Sequence, residues 1–418
     1  MLISAEHILL PTRQEFVAGW VEVAGDVITA VGEGAPPRTA DQTLTGALVP
    51  GYVDVHCHGG GGAAFASEDP TDVDIVLAAH RAAGTTSVVA SVITASVPVL
   101  QRQVAMLAEK VRVGDLAGIH LEGPWLAEDF KGAHSPELLA EPVPSVVAAL
   151  LAAADGTIRM ATIAPELAAA MEAIAVMIAH NCLPAIGHTG ADYATAKAAI
   201  GAGATGATHI FNAMPQLEHR DPGPVLAFLD DPRVTAELIF DGIHVSPELA
   251  AFVMRVIPDR VVLVTDAMAA AGAPDGDFVL GELPVEVRDR VARLAGKATI
   301  AGSTLSLDRA VRNAVAQGIP LAQAVRSAPA FRLTTSTSRE SAGSRPGTRP
   351  TWSPSTTTRA SPVPRCLAVA SQTLRHEGRT SATQARGVPR CDTPHRIDTH
   401  RSEAGIVHID RRRCSIKE

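Results

Sequence analysis

The sequence is poor in several features that would assign it to a particular class. Only 3% of its 418 residues are aromatic, and its five cysteines form no CxxC pair and no framework spacing. This scatter excludes a disulfide-stapled protein and favours a reduced setting, so we expect a cytoplasmic protein. No uncharged apolar run reaches the ~18 residues that a membrane span needs. The first residues, MLISAEHILL, lack the basic region of a secretory signal.

The charge is unevenly distributed along the chain. The formal net charge is −8, but residues 332–418 carry 15 Arg and 1 Lys against 7 acidic residues, or +9. The preceding 331 residues therefore carry −17. An acidic body with a basic tail can indicate an arm that binds nucleic acid. The tail has no interleaved aromatic residues, since Trp352 stands alone, and no recognisable module, so we expect no nucleic-acid partner.

The apolar pattern of the body predicts a (β/α)8 TIM-like barrel. Residues 1–47 show short alternating strands with a Gly25-Asp26 hairpin signal, which predicts a small β-sandwich domain. From residue 48 onward, β-rich runs alternate with Ala-rich stretches of helical periodicity. We therefore divide the chain into a β domain (1–47), a barrel (48–331) and a tail (332–418). The eight predicted barrel strands are 48–58, 86–92, 116–123, 157–165, 183–189, 205–214, 234–244 and 260–268.

Residues of the types that bind metals fall at the carboxyl ends of these strands, where barrel active sites lie. They are His56, His58, Glu122, His188, His209 and Asp266. Residues i and i+2 of a strand point to the same side, so His56 and His58 can face one ion while Cys57 points into the wall. A lone HxH pattern is more often a pair of polar loop residues. Six residues of this kind at successive strand ends instead predict a site for a divalent ion such as zinc.

Five motifs carry a family resemblance: PGYVDVHCHGGGG, GIHLEGP, AIGHT, THIFNAM and VTDAM. In this order and at these positions they resemble the amidohydrolase superfamily, and most closely its N-acetylglucosamine-6-phosphate deacetylase family. The resemblance covers about residues 1–331. It implies hydrolysis of the acetamide of N-acetylglucosamine 6-phosphate to glucosamine 6-phosphate and acetate.

The resemblance also implies the roles of the residues that carry the reaction. Glu122, His188 and His209 would form the principal metal position, and His56 and His58 a second one. One or two ions are expected, zinc first, with Fe2+, Co2+ and Mn2+ as alternatives. Asp266 would be the general base that takes a proton from metal-bound water, with the resulting hydroxide as nucleophile, and passes it to the leaving amine. His134, in KGAHSP, would polarise the acetamide carbonyl.

The phosphate of the substrate would be held by a second group of residues. FNAMPQLEHRDPG resembles the phosphate-binding stretch of the family, with Arg220 as a planar cation and Asn212 and Ala213 completing the grip. His244, in FDGIHV, matches a residue that the family supplies to the neighbouring subunit, which implies a homodimer. For Arg220 taken alone, a solvated charge on a turn is the commoner explanation.

The resemblance stops after Phe331. The family continues with strands that complete the small β domain, whereas this chain continues with RLTTSTSRESAGSRPGTRPTWSPSTTTRASPVPRC. This tail is rich in Ser, Thr, Pro and Arg and has the composition of a disordered segment. Shifting the reading frame by two nucleotides permits Ala-Ala-Asp-Leu-Val-x-Leu-Asp-Asp-Asp across residues 349–358. We therefore predict a frameshift between about residues 327 and 345, natural or from sequencing, with the loss of the partner strands of the β domain.

Three alternatives remain open at this point. The chain can deacetylate a related amino-sugar phosphate or act as another amidohydrolase. It can be an inactive, frameshifted product, because the altered tail puts folding and dimer assembly in doubt. The tail can also be a genuine low-complexity arm.

Overall fold

The computed structural model describes residues 1–10, 13–25 and 27–328, and the backbone of three short strands at 367–370, 399–401 and 407–409. The described residues contain a small β domain, a barrel and an added antiparallel sheet. The expectations for the remaining part of residues 332–418, including its disorder and its reading frame, lie outside the described residues.

The small β domain is a sheet built mainly from the N-terminal residues. Its first four strands are β1 (Leu2–Ile8), β2 (Val17–Ala24), β3 (Val27–Glu33) and β4 (Gln42–Pro50). β1 pairs antiparallel with β2 and parallel with β4, and β2 pairs antiparallel with β3. Ile3 and Leu48 are fully buried and belong to the apolar cluster on one face of this sheet. The sheet thus continues three residues beyond the predicted boundary at residue 47.

The barrel contains all eight predicted strands, and each pairs parallel with its neighbour. Residue Cys57 of the first strand bridges in parallel to Ala267, just after the last strand, which brings the two ends of the sheet together. A small hairpin of β6 (Gly59–Gly60) and β7 (Ala63–Ala64) follows the first strand. The barrel strands are β5 (Tyr52–Cys57), β8 (Thr85–Ile93), β9 (Gly118–Glu122), β10 (Ile158–Ile163), β11 (Leu183–Ile186), β12 (Gly206–Ala207), β13 (Thr235–Ile239) and β14 (Val261–Val264).

Helices connect the strands and cover the barrel. Asp192 caps α5 by accepting a hydrogen bond from Thr195 N at 2.7 Å, and Gly203 ends that helix in the left-handed conformation. After the last barrel strand, two helices are separated by a turn at Gly318, whose φ angle is 81°. The helices are α1 (Pro70–Ala82), α2 (Val97–Arg112), α3 (Pro144–Ala153), α4 (Ala170–Ala179), α5 (Tyr193–Ala202), α6 (Gly223–Asp230), α7 (Pro247–Val256), α8 (Leu307–Ala316) and α9 (Leu321–Ser327). Within the described residues, no helix is long and apolar enough to cross a membrane.

An antiparallel sheet that the sequence analysis did not identify lies between β14 and α8. Its strands are β15 (Gly276–Leu280), β16 (Leu283–Arg288) and β17 (Val291–Leu294). The buried side chains of this sheet share an apolar cluster with Ile93, Ala133 and Met268. These three residues flank Thr94, His134 and Asp266 respectively, so the added sheet supports the loops that carry candidate site residues.

Three short strands from the tail extend the N-terminal sheet. β18 (Leu367–Ala370) pairs antiparallel with β4, β20 (Val407–Ile409) with β18, and β19 (Thr399–Arg401) with β20. The prediction that the tail is disordered stays a prediction, because most of the tail lies outside the described residues. β18 pairs with the edge of β4 that does not face β1, where backbone donors and acceptors would otherwise be unpaired.

Candidate metal centre and active site

Glu122, the last residue of β9, is the point on which the histidines converge. Its Oε1 atom lies 3.1 Å from Nε2 of His188 and 3.0 Å from Nε2 of His209. The Nε2 atoms of these two histidines are themselves 3.0 Å apart. The barrel therefore brings together the three residues that the resemblance assigned to the principal metal position.

His56 and His58 face the same carboxylate from the first strand. Nε2 of His56 lies 3.3 Å from Oε1 of Glu122, and Nε2 of His58 lies 3.0 Å from Oε2. The intervening Cys57 points the other way, with Sγ 3.2 Å from Nε2 of His80. The four predicted histidine ligands are thus buried around the carboxyl group of the fifth predicted ligand, Glu122.

The donor atoms of this cluster suit a divalent cation. Nδ1 of His188 lies 2.9 Å from the carbonyl oxygen of Phe130, which can only accept, so Nδ1 carries the proton. Nδ1 of His56 lies 2.9 Å from Oε2 of Glu237 and is assigned the proton for the same reason. In their neutral forms both rings therefore direct an unprotonated Nε2 at Glu122, and a cation is what such facing lone pairs require.

The carboxylates give the cluster a strongly negative potential. Burial opposes charge on His58, but hydrogen bonds to Asp266 and Glu122 outweigh it and raise the pKa of the imidazole to about 9. Burial also opposes ionisation of Glu122, yet His56 and the other surrounding histidines hold the pKa of its carboxyl well below the usual range. A site that favours positive charge this strongly is favourable for a metal cation.

Asp266 completes the cluster where the last strand meets the first. Its backbone N donates to the carbonyl oxygen of His56 at 2.9 Å. Its Oδ1 atom lies 3.5 Å from Nε2 of His56 and 3.3 Å from Nε2 of His58. Burial opposes ionisation, but the two histidines dominate and hold the pKa of the Asp266 carboxyl below its usual range. An ionised carboxylate in this position can accept a proton from water beside the ligands.

His134 reaches the cluster from the loop after β9. Its Nε2 atom lies 3.5 Å from Oε2 of Glu122, and its Nδ1 atom lies 2.7 Å from Oγ1 of Thr94. Burial lowers the pKa of His134 to about 4, so the imidazole is neutral near pH 7. The Thr94 hydroxyl has one proton and two acceptors within reach, Nδ1 of His134 and the carbonyl oxygen of Glu122 at 3.3 Å. When the proton goes to Nδ1, the shorter contact, Nε2 carries the ring proton and can donate a hydrogen bond to a substrate carbonyl.

Backbone conformations that side chains rarely adopt are concentrated at this site. The φ angles are 49° at His188, 27° at His209, 77° at Phe211, 50° at Ala213 and 48° at Asp266. Each costs roughly 1–3 kcal/mol and persists only where the surrounding structure fixes it. Three of these residues, His209, Phe211 and Ala213, form a turn directly after β12. The turn ends the predicted strand 205–214 after only two residues, Gly206 and Ala207.

The predicted phosphate-binding residues are less closely grouped. Asn212 is half-buried and donates from Nδ2 to the carbonyl oxygens of His209 and Ile210, at 3.1 and 3.2 Å. Ala213 is also half-buried, and its carbonyl accepts from Thr189 N at 3.1 Å. Arg220 is exposed on the loop that precedes α6. In the described part of the chain, its side chain has no hydrogen bond or ion pair with another residue.

His244 follows β13, and its predicted role in the neighbouring subunit stays a prediction, because the structure contains a single chain. Its side chain is 7% exposed, and Nδ1 lies 2.7 Å from Oδ2 of Asp241 in the same chain. Burial opposes protonation of this imidazole, but Asp241 and, more weakly, Asp266 raise its pKa. Asp241 thus fixes the orientation of the His244 ring and favours its protonated form.

Two polar residues of the site were not predicted from the sequence. Glu237 on β13 contacts His56, and Thr94, which follows β8, contacts His134. Thr94 directly follows an apolar strand, as several of the predicted ligands do, and that position was the available signal. Glu237 lies in the middle of its strand, where no local pattern distinguishes it.

Fold and site together define a hydrolase-type (β/α)8 barrel whose strand ends carry a histidine–carboxylate metal centre. The comparison with family models makes this specific. The chain belongs to the amidohydrolase family, whose model matches residues 47–329.

Known relatives are deacetylases of amino-sugar phosphates. The N-acetylgalactosamine-6-phosphate deacetylase of Escherichia coli is 36% identical over 333 residues, which cover 77% of this chain and 87% of that protein. The N-acetylglucosamine-6-phosphate deacetylase of Vibrio furnissii is 36% identical over 64% of this chain and 67% of its own length. The crystal structure of N-acetyl-D-glucosamine-6-phosphate deacetylase from Mycobacterium smegmatis is similar with a TM-score of 0.76 at 46% identity, covering 78% of this chain and 88% of that one.

Proposed function

We propose that this chain hydrolyses the acetamide of N-acetylglucosamine 6-phosphate to give glucosamine 6-phosphate and acetate. The observation that carries the proposal is the convergence of His56, His58, His188 and His209 on Glu122, with Asp266 beside them. An amide is a poor electrophile, and this arrangement provides a cation site and a base at the same point. The names of the relatives supply the substrate.

The metal centre would be held by the five ligands around Glu122, with one or two ions bound. A bound divalent ion lowers the pKa of water to about 7 and polarises a carbonyl oxygen. Zinc is the ion we favour, because imidazole and carboxylate ligands suit it, and Fe2+, Co2+ and Mn2+ are the alternatives. Elemental analysis of the purified protein tests this choice.

Two residues would move or hold protons during the reaction. Asp266 would take the proton of the attacking water and deliver it to the nitrogen of the leaving amine, which then departs as the neutral amino group. His134, neutral and oriented by Thr94, would donate from Nε2 to the oxygen of the acetamide as negative charge develops there.

The phosphate would be recognised at the outer end of the site. Arg220 offers a permanently charged guanidinium on an exposed loop, and His244 an imidazole held by Asp241. Asn212 and Ala213, in the strained turn after β12, would complete the grip. As the resemblance implies, we propose that His244 serves the site of the neighbouring subunit.

A homodimer is the assembly that we propose. Exposed apolar side chains on α6, α7 and the preceding loops support it: Leu217, Leu226, Ile243, Leu249, Phe252 and Val256 are each 37–48% exposed. Leu249, Phe252 and Val256 recur at helical spacing and so share one face of α7, and an exposed apolar helix face is typical of an association site. We also propose a cytoplasmic location, supported by Cys57 and Cys182, which are buried free thiols.

A second candidate substrate is N-acetylgalactosamine 6-phosphate, which differs only in the configuration at C4. It is favoured by the E. coli relative named for that substrate, at 36% identity over 87% of its length. The reacting acetamide and the phosphate are the same in both sugars, so the residues named above serve either one.

The proposal is tested by measuring acetate release by the metal-loaded protein. We expect turnover with N-acetylglucosamine 6-phosphate, less with its C4 epimer, and much less with N-acetylglucosamine that lacks the phosphate. Faster turnover of the epimer would favour the second candidate. Equal rates with and without the phosphate would reject the role given to Arg220, and no acetate from any of them would reject the proposed function.

The altered tail is a separate proposal. We propose that the reading frame shifts between about residues 327 and 345, because the alternative frame permits family-like ADLV text further along the tail. Sequencing the gene across the codons for residues 325–350 tests it. A verified gene in which no frame encodes such text downstream would instead favour a genuine low-complexity arm.

A further inference from the structure

Glu237 is a buried carboxylate for which the proposed reaction has no use. It lies on β13 with 5% of its surface exposed. Its Oε2 atom is 2.9 Å from Nδ1 of His56 and 3.3 Å from the backbone N of His209. A buried carboxylate is costly unless it is fully hydrogen-bonded or has a specific role. Here a single oxygen accepts from both groups.

The two groups that contact Glu237 belong to different predicted metal positions, which we call the two halves of the metal centre: one half is His56 and His58, and the other is Glu122, His188 and His209. His56 lies on the first barrel strand and is paired with His58, with 3.1 Å between their Nε2 atoms. His209 follows β12, is grouped with His188, and has a φ angle of 27°. Because this conformation is unfavourable, a hydrogen bond to the His209 backbone helps to keep the ligand in place.

Glu237 is not itself placed to bind the ion. Its Oε2 atom faces Nδ1 of His56, on the opposite side of the ring from the Nε2 atom that points to Glu122. The other oxygen, Oε1, is buried and has no hydrogen-bond partner in the described part of the chain. The carboxylate thus contacts His56 and His209 through Nδ1 and the backbone N, and not through the Nε2 atoms that face Glu122.

We propose that Glu237 is a positioning residue that couples the two halves of the metal centre. By accepting from Nδ1–H it fixes His56 in the tautomer whose Nε2 lone pair faces Glu122, and its charge makes that nitrogen a stronger donor. By accepting from the His209 backbone it holds a ligand of the other half in register. This inference rests on the proposed function only in that the cluster binds a divalent metal.

The test compares three variants by titrating the metal-free protein with Zn2+ alone in a calorimeter. Glu237→Gln keeps the size and one acceptor but removes the charge, and we expect roughly 10-fold weaker binding. Glu237→Leu removes the acceptor as well, and we expect about 100-fold, the range seen when carboxylates behind ligating histidines are lost. Asp308→Asn is the matched control, because Asp308 is equally buried on α8 and pairs with Arg312 instead of a ligand. It should lower thermal stability and leave the affinity for Zn2+ unchanged.

The outcomes separate this proposal from the proposed function. Wild-type affinity in folded Glu237→Gln would overturn it, even if Glu237→Leu fails to fold. Failure of Glu237→Gln to fold would also overturn it, because a positioning role predicts an intact barrel. If the wild type binds Zn2+ and the variants weaken as expected, but no acetamide is hydrolysed, only the proposed function falls.

Discussion

Oδ1 of Asp266 lies 3.3 Å from Nε2 of His58, across the seam at which the last barrel strand meets the first. The two residues come from opposite ends of the barrel sequence, and the backbone bond from Asp266 N to the His56 carbonyl fixes their approach. Closure of the barrel therefore assembles the base and its metal ligands in one event. Neither end of the barrel has a complete site without the other.

Replacing Asp266 by Asn should separate proton transfer from metal binding. The amide keeps the size of the side chain but cannot take a proton, so we expect turnover to fall by roughly 10²–10⁴-fold. The ligands around Glu122 remain, so metal content should stay near that of the wild type. Acetate release and elemental analysis of the same preparation provide both values. Near-normal turnover would contradict the role of Asp266.

The contact between Thr94 and His134 should be visible in kcat. Thr94→Val keeps the shape of the side chain but removes the hydroxyl that lies 2.7 Å from Nδ1 of His134. An unpaired buried ring nitrogen costs about 1–3 kcal/mol, and the ring loses its fixed tautomer. We expect kcat to fall about 10-fold or more with little change in KM.

Thr94→Ser is the control for that experiment, because it restores the hydroxyl on a smaller side chain. It should recover most of the lost kcat. If the Ser and Val variants are equally impaired, the role of Thr94 is packing and not orientation of His134.

Substitution of Arg220 should weaken binding of the substrate phosphate without affecting hydrolysis of the acetamide. The exposed guanidinium has no partner in the described residues that would be left unpaired, so Arg220→Ala should fold normally. We expect KM for the 6-phosphate substrate to rise about 10-fold or more, since a charged hydrogen bond is worth about 1.5–3 kcal/mol. Turnover of N-acetylglucosamine should not change. Arg220→Lys, which keeps the charge but loses the planar fork, should lie between the two. An unchanged KM in Arg220→Ala would place the phosphate elsewhere.

The apolar surface on α7 predicts the effect of a charge at its centre. Phe252 is 48% exposed, and Phe252→Glu should convert a dimer into a monomer, as measured by analytical ultracentrifugation. Val279→Glu is the control, because Val279 is 61% exposed on β15, in the separate antiparallel sheet. A wild-type protein that sediments as a monomer, or a Phe252→Glu variant that remains dimeric, would contradict the proposed interface.

The sequence was most informative about the ligand-type residues that lie at the carboxyl ends of the predicted barrel strands. The alternation of His56, Cys57 and His58, and the positions of Glu122, His188, His209 and Asp266 after apolar runs, were sufficient to predict one cluster in a barrel. Glu237 was not predicted, because a glutamate within a strand has no spacing that distinguishes it from a surface residue. Only the three-dimensional contact with His56 shows its importance.

Two further features could not be read from local pattern. The strands β15–β17 show alternating apolar and polar residues, but they are not part of any of the eight βα units of the barrel. The environment of His244 depends on which chain supplies its neighbours, and that is a property of assembly. The sequence pattern predicted the strands of the barrel well. It did not predict side-chain contacts such as Glu237–His56 and Thr94–His134, because their members are far apart in the chain.

The convergence of histidines from the first, fifth and sixth strands on Glu122 of the third strand has a consequence for the stability of the protein. A bound ion is a non-covalent cross-link that exists only in the folded barrel, so each ion stabilises the fold by mass action. At a free metal concentration of 100 times Kd this amounts to about 2.7 kcal/mol. Loss of the metal would therefore lower the free energy of unfolding by about this amount as well as abolishing the activity, and the metal-free protein would be more exposed to proteolysis.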